Sequence, residues 1–198
     1  MAFSDYKAIA QVQTEFGISY LEQDFLTPKP MVVSAYFLSE FLFTRENIDV
    51  FTSEAARTDL VITPVLREIY KQYHQSTSFW IQKSIAYTDQ LQGTPDYMIA
   101  TKSALGKSVL ETPLLVVVEA KKNDFEQGWG LCLAELIAAQ GLNKQVHKAV
   151  YGIVTDGELW KFGKLQEKVF QANRIGYTIG NLELLFGALH QIFKLALA

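Results

Sequence analysis

Apolar and polar residues follow two rhythms along this chain, and the switch between them organises it. Residues 3–16 (FSDYKAIAQVQTEF) place apolar side chains at helical spacing, with Ser4 as the expected N-cap. FLTPKP (25–30) is a breaker, and SAYFLSEFLFTREN (34–47) then predicts a second helix, buried on a wide aromatic face. TSEAARTDLVITPVLREIYKQY (52–73) predicts a third, capped by Thr52 or Ser53, with Glu54 in its first turn where the helix dipole favours negative charge. Pro64 either kinks this helix or opens a new one capped by Thr63.

From Ser78 the period becomes that of strands. FWIQKSIAYT (79–88), PDYMIATKS (95–103) and PLLVVVEAKK (113–122) are three of them, followed by a helix at 124–140 that Gly141 is expected to stop. AVYGIVT (149–155) and ELWKF (158–162) flank the turn TDG, a last strand lies near 168–178, and a helix closes the chain at 180–196. This order predicts an α/β (α+β) fold, a central mixed sheet flanked by helices. Residues 1–51 are expected to form a helical extension packed on a domain spanning 52–198.

Length and charge narrow the function. The 198 residues amount to one domain with a small extension, and a net charge of -3 excludes a protein that holds nucleic acid by bulk positive charge. The single cysteine, Cys132, excludes a disulfide framework and a multi-cysteine zinc site. No signal-peptide pattern opens the chain, and its longest apolar run, LLVVV at 114–118, is too short to cross a bilayer. These features point to a cytoplasmic protein that does not enter membranes.

The strand at 113–122 carries the chemistry. Leu115, Val117, Glu119 and Lys121 alternate onto one face, and both faces are apolar until Glu119, as in a strand covered on both sides. A carboxylate and an ammonium therefore emerge at the strand's carboxyl end, where sheets of this class place ligands. Asp96, one strand earlier, comes beside Glu119 if the two strands pair antiparallel. Two neighbouring carboxylates repel one another, and a divalent cation relieves the repulsion. Mg²⁺ takes hard oxygen ligands and retains waters, which makes metal-assisted hydrolysis of a phosphodiester the implied reaction. The pattern E-x-K alone is common on solvated strand ends, and Asp5-Tyr6-Lys7 repeats it with no buried strand before it. The chain nonetheless has one Pro-Asp and one E-x-K, both within this hairpin.

Pro95-Asp96 and Glu119-Ala120-Lys121 together resemble the signature of the PD-(D/E)XK nuclease superfamily, the restriction-endonuclease-like fold. The blocks at 53–69, 96–99, 114–122 and 151–162 follow one another as in the amino-terminal nuclease domain of type I restriction motor subunits. The resemblance implies a nuclease acting on DNA with Mg²⁺ or Mn²⁺, Asp96 and Glu119 binding the metal and Lys121 serving as the catalytic lysine. Glu54 matches the glutamate that opens the family's first core helix. Glu68 competes with it, close to four helical turns away, so phase alone does not separate the two. Related nucleases often carry a glutamine followed four residues later by a tyrosine on the next helix. Here Leu131 and Glu135 occupy those places, and Gln127 is the substitute one turn earlier.

Other residues have plainer readings. Cys132 lies in the apolar run LCLAELI and reads as a small buried hydrophobe. The three tryptophans read as core or rim aromatics, Trp129 alone being placed to stack on a base. Lys122, Gln127, Lys144 and Lys148 are expected to follow a phosphate backbone, with Lys161, Lys164 and Lys168 extending the same basic rim, although a solvated face is the commoner meaning of such a cluster. The alternatives to a nuclease are a catalytically silent module of the same fold that binds nucleic acid or protein, and a metal-dependent hydrolase of small phosphoesters. The latter requires the aromatic helices of 34–51 to enclose the site. A homodimer or partner subunits would supply target recognition.

Overall fold

The computed structural model describes residues 3–121 and 124–198. Helix α1 (Ile9–Phe16) and strand β1 (Ser19–Glu22) open it, followed by α2 (Ala35–Asn47), α3 (Glu54–Arg57) and α4 (Thr63–Tyr70). Strands β2 (Thr77–Ile81), β3 (Ile85–Ala86), β4 (Gln92–Gly93), β5 (Tyr97–Thr101) and β6 (Leu114–Ala120) lead to the long helix α5 (Phe125–Asn143). The chain ends with β7 (Val150–Thr155), β8 (Leu159–Gln166), β9 (Val169–Ala172), β10 (Tyr177–Thr178) and α6 (Leu182–Leu197).

Eight strands form one mixed sheet in the order β1-β9-β8-β7-β6-β5-β2, with β10 beside β8, while β3 and β4 make a separate hairpin. Pairs β6–β7 and β1–β9 are parallel and the others antiparallel. Antiparallel β7 and β8 turn on Asp156-Gly157, whereas parallel β6 and β7 need the α5 crossover between them. Both faces of the sheet are covered, which accounts for the near-continuous apolar strands. Helix α5 and Val12 of α1 pack on one face with Met98, Val117, Val154 and Phe170. Helices α2, α4 and α6 pack on the other with Tyr97, Val116, Ile153, Trp160 and Phe162. Among the described residues, no helix is long and apolar enough to cross a membrane.

The mixed sheet and its flanking helices match the fold class expected from the sequence, and several local expectations are corrected. Ser4 caps no helix: Phe3–Asp5 make a single 3₁₀ turn and α1 begins at Ile9, where the Gln11 side chain accepts from the Lys7 and Ala8 N–H groups. Residues 1–51 are not purely helical, because β1 extends the main sheet. The strand expected at 79–88 ends at Ile81, and Gln82 turns out of it at φ 49°. Gly141 does not stop α5. The helix runs to Asn143, and Lys144 takes the left-handed position. Gly141 is needed for a different reason, since a Cβ there would lie 2.4 Å from the ring of Tyr87. Strict alternation on β6 fails at Leu115. Ile99 pairs with Val116 and Ala100 with Leu114, and the bulge sends Leu115 to the same side as Val116.

Pro64 lies in the first turn of α4, one of its two expected places, but Thr63 does not cap that helix, because the chain enters it without leaving helical conformation. The backbone stays right-handed from Arg57 through Thr63, and residues Thr58–Ile62 form a π turn in which the Thr63 N–H reaches back to the Thr58 carbonyl. The wider turn makes room for a proline ring that would otherwise meet the carbonyl four residues earlier. At the start of this helix Ser53 Oγ accepts from the Ala56 N–H at 3.0 Å. Ser53→Ala is expected to lower stability by about 1 kcal/mol, read as a smaller urea midpoint at unchanged slope.

Candidate active site

Antiparallel pairing of β5 and β6 sets Tyr97 opposite Val118, so Asp96 arrives across from Glu119. The two acids are cross-linked through the backbone. The Asp96 N–H points at Glu119 Oε1 (3.4 Å), and Asp96 Oδ2 accepts from the Ala120 N–H (2.8 Å). The Lys121 N–H continues the parallel pairing with β7 by donating to the Thr155 carbonyl at 2.9 Å. Its ammonium lies 3.3 Å from Glu119 Oε2. Alternation carries Glu119 and Lys121 to the face that Val117 shares with α5, and the Lys121 stem passes beside Gly128 of that helix.

Electrostatics tie these three groups together. Burial and the charge of Asp96 push the Glu119 carboxyl up to about 6. Burial raises Asp96 as well, against the opposing effects of the Ala120 N–H and Lys121. Burial works to lower Lys121, but the charges of Glu119 and Asp96 outweigh it and leave the ammonium above its ordinary value. The site is therefore a half-buried cation held by two strained acids, one of them almost wholly out of water.

Glu54 approaches from the other face of the sheet. Ser53 caps its helix, and buried Arg57 one turn on donates to the Asp156 carbonyl at 2.8 Å and covers the ring of Phe51. These contacts pin the helix start to the β7–β8 turn, and the Glu54 charge acts on both Asp96 and Lys121. Glu68 is elsewhere. It accepts from Ser34 Oγ at 2.7 Å and pairs with Lys71 between α2 and α4. Of the two competing glutamates, the structure brings only Glu54 to the acids.

One residue at the site was not among the expected ones. Glu135 is 2% exposed on α5, within hydrogen-bond reach of Glu119, and its Oε2 has no partner. Burial, then the charge of Glu119, raises its carboxyl well above the ordinary range. The sequence signal was a lone carboxyl inside LCLAELIAA, a run otherwise free of charge.

Among the described residues no three His, Cys, Asp or Glu side chains form a metal-holding cluster. Asp96 and Glu119 supply a pair of carboxylates whose charges oppose one another, and hard oxygen donors of this kind suit Mg²⁺ or Mn²⁺ with retained waters.

The expected basic rim is largely corrected. Helix α5 spans 19 residues, about 28 Å, from the site to the opposite end of the sheet. Lys144 ends it there, beside Asn143, whose side chain bonds both backbone groups of Leu114 at the start of β6. Lys148 precedes the start of β7 at the same far end. Neither lysine flanks the acids. Lys122 lies outside the described residues, and Gln127 sits half-buried on the first turn of α5. Lys164 covers the Phe25 ring and Lys168 donates to the Phe16 carbonyl. Of the expected rim lysines among the described residues, only Lys161 lies on the α5 face near the site, because Glu119 pairs with Val154 and Val154 with Lys161. Trp129 packs edge-on to Phe170 over Gly163, and Cys132 is wholly buried against Gly152. No protein-family model and no curated protein matches the chain.

Proposed function

We propose that this protein is a divalent-cation-dependent nuclease of restriction-endonuclease-like type, hydrolysing DNA phosphodiester bonds. The observation that supports the reading is the meeting of Asp96, Glu119 and Lys121 on one face at one end of the sheet. Asp96 and Glu119 would hold Mg²⁺ or Mn²⁺, which when bound supplies an activated water and screens phosphate charge. Lys121 is kept protonated by its acidic neighbours, so its ammonium can orient the attacking water and steady the negative charge that develops on the phosphoryl oxygens. Glu54 adds a carboxylate from the helix side. At a net charge of -3 it gains little DNA affinity from bulk attraction, which suits recognition supplied by a second copy or by partner subunits.

The small-phosphoester alternative needs the aromatic helix α2 to roof the site. That helix packs on the opposite face of the sheet from Glu119, with Phe37 and Phe41 in the core there. The nuclease reading is tested by calorimetric titration of Mg²⁺ and Mn²⁺ alongside cleavage of plasmid and single-stranded DNA. Wild type is expected to bind either cation and to lose cleavage in EDTA, while Asp96→Asn loses most of the cation binding. Wild-type protein that takes up neither cation would remove the proposal.

A further inference from the structure

The first turns of α5 separate the acids from a second feature on the same face. Gly128 lies against Lys121 and Val154, and beyond it two adjoining hollows of about 190 and 220 Å³ share Tyr20, Trp129 and Lys161. Phe125 walls one of them and Arg174 the other. We infer that this hollow is a binding subsite for an unpaired nucleotide next to the scissile phosphate. For its role in cleavage the subsite rests on the nuclease reading above.

Two observations and one general constraint support it. The first is distance. Lys161 stands two strands from Glu119 through Val154, about 10 Å at the usual strand spacing, within reach of a nucleotide joined to the phosphate at the acids. The second is composition. Aromatic rings combine with cations here, and the Lys161 ammonium lies 4.8 Å over the Phe125 ring. Aromatic faces stack on bases and neighbouring cations meet the backbone, a combination that serves any base sequence. The third is the state of the base. In a duplex both faces of each base are stacked within the helix, so a ring on the protein can stack only on a base that has left it.

The hollow also contains acids, and they set the character of the binding. Glu126 lines one part and Glu22, which accepts from the Tyr20 hydroxyl at 2.9 Å, lines the other. Against Lys161 and Arg174 these leave the lining without net charge, so stacking supplies most of the affinity and salt weakens it little. Tyr20 comes from β1, which makes the amino-terminal segment part of the subsite.

The test measures fluorescence anisotropy of labelled oligothymidylate and of a blunt duplex, each titrated with full-length protein free of divalent cations. Wild type is expected to prefer the single strand. Phe125→Leu and Lys161→Ala are each expected to weaken that binding by 5-fold or more and leave duplex binding unchanged, with circular dichroism confirming that both fold. On substrates with a single-stranded flank, both variants raise KM at unchanged kcat. Single-strand binding equal to wild type in both variants overturns the inference while wild-type cleavage keeps the nuclease reading. Equal loss on the single strand and the duplex also overturns it. Selective loss of single-strand binding in a protein that cleaves no DNA supports the subsite and removes the nuclease.

Discussion

Lys121→Ala is expected to slow DNA cleavage by about 10²- to 10³-fold, the range seen when one preorganised group facing developing charge is removed. The substitution is gentle on the fold. The Lys121 backbone is held by the Thr155 carbonyl, independently of the side chain, and the side chain is only half-buried. Its effect on cation affinity has a distinctive sign. The ammonium lies 3.3 Å from Glu119 and competes with any cation for those oxygens, so the variant should bind Mg²⁺ as well as wild type or better. A lysine with a merely structural role would give the opposite pattern, weaker metal binding with near-normal turnover. Single-turnover cleavage and calorimetry on the same preparation separate the two, and a rate within threefold of wild type would sink the assignment.

Stability without divalent cations should fall as the pH rises through the range in which Glu119 loses its proton. Folding raises this carboxyl from 4.5 to about 6, by burial first and then by the charge of Asp96, so the folded protein holds the proton more tightly than the unfolded chain. The stabilisation is complete below pH 4.5 and is lost as the pH passes 6, a change on the order of 2 kcal/mol. Glu135, displaced in the same direction, extends the loss to higher pH. Glu68 is shifted the other way, by Lys71 and Ser34 against its burial, and gains stability over part of the range. Comparison with Glu119→Gln removes that contribution, since Glu68 is common to both proteins. Adding Mg²⁺ at 100 times its dissociation constant should return about 2.7 kcal/mol at pH 7 to wild type and far less to the variant. Urea midpoints at pH 5 and pH 7 give the comparison, and equal pH slopes for the two proteins would contradict it.

Much of this architecture was legible in the sequence because local and tertiary preferences agree. The apolar run before Glu119, the cap at Ser53 and the Asp156-Gly157 turn each specify one local structure, and packing kept them. The misreadings arose where a residue answers to a distant neighbour. Gly141 reads as a helix stop by propensity, yet it is small because Tyr87 lies over it. Asp96, Glu119 and Lys121 were visible because one hairpin holds all three. Glu54 and Glu68 could not be separated by helical phase, and only the tertiary partners of Glu68 removed it. Lys144 and Lys148 were misplaced because nearness in sequence conceals a helix of about 28 Å. Glu135 reads in the sequence only as the occupant of a position where related nucleases have a tyrosine, because its significance depends on the strand beneath it.

The pairing of β1 with β9 bears on how the protein can be divided. Ser19 to Glu22 lie along Val169 to Ala172, with the Ser19 N–H bonded to the Lys168 carbonyl at 2.8 Å. A shortened chain that began at residue 52 would keep the acids and the lysine but uncover β9 along its whole length. A bare, partly apolar strand edge of that kind recruits strands from neighbouring molecules. Such a fragment should self-associate with rising concentration, through the bare β9 edge and through the apolar surface that Val12, Phe37 and Phe41 no longer cover, with the catalytic centre itself still present.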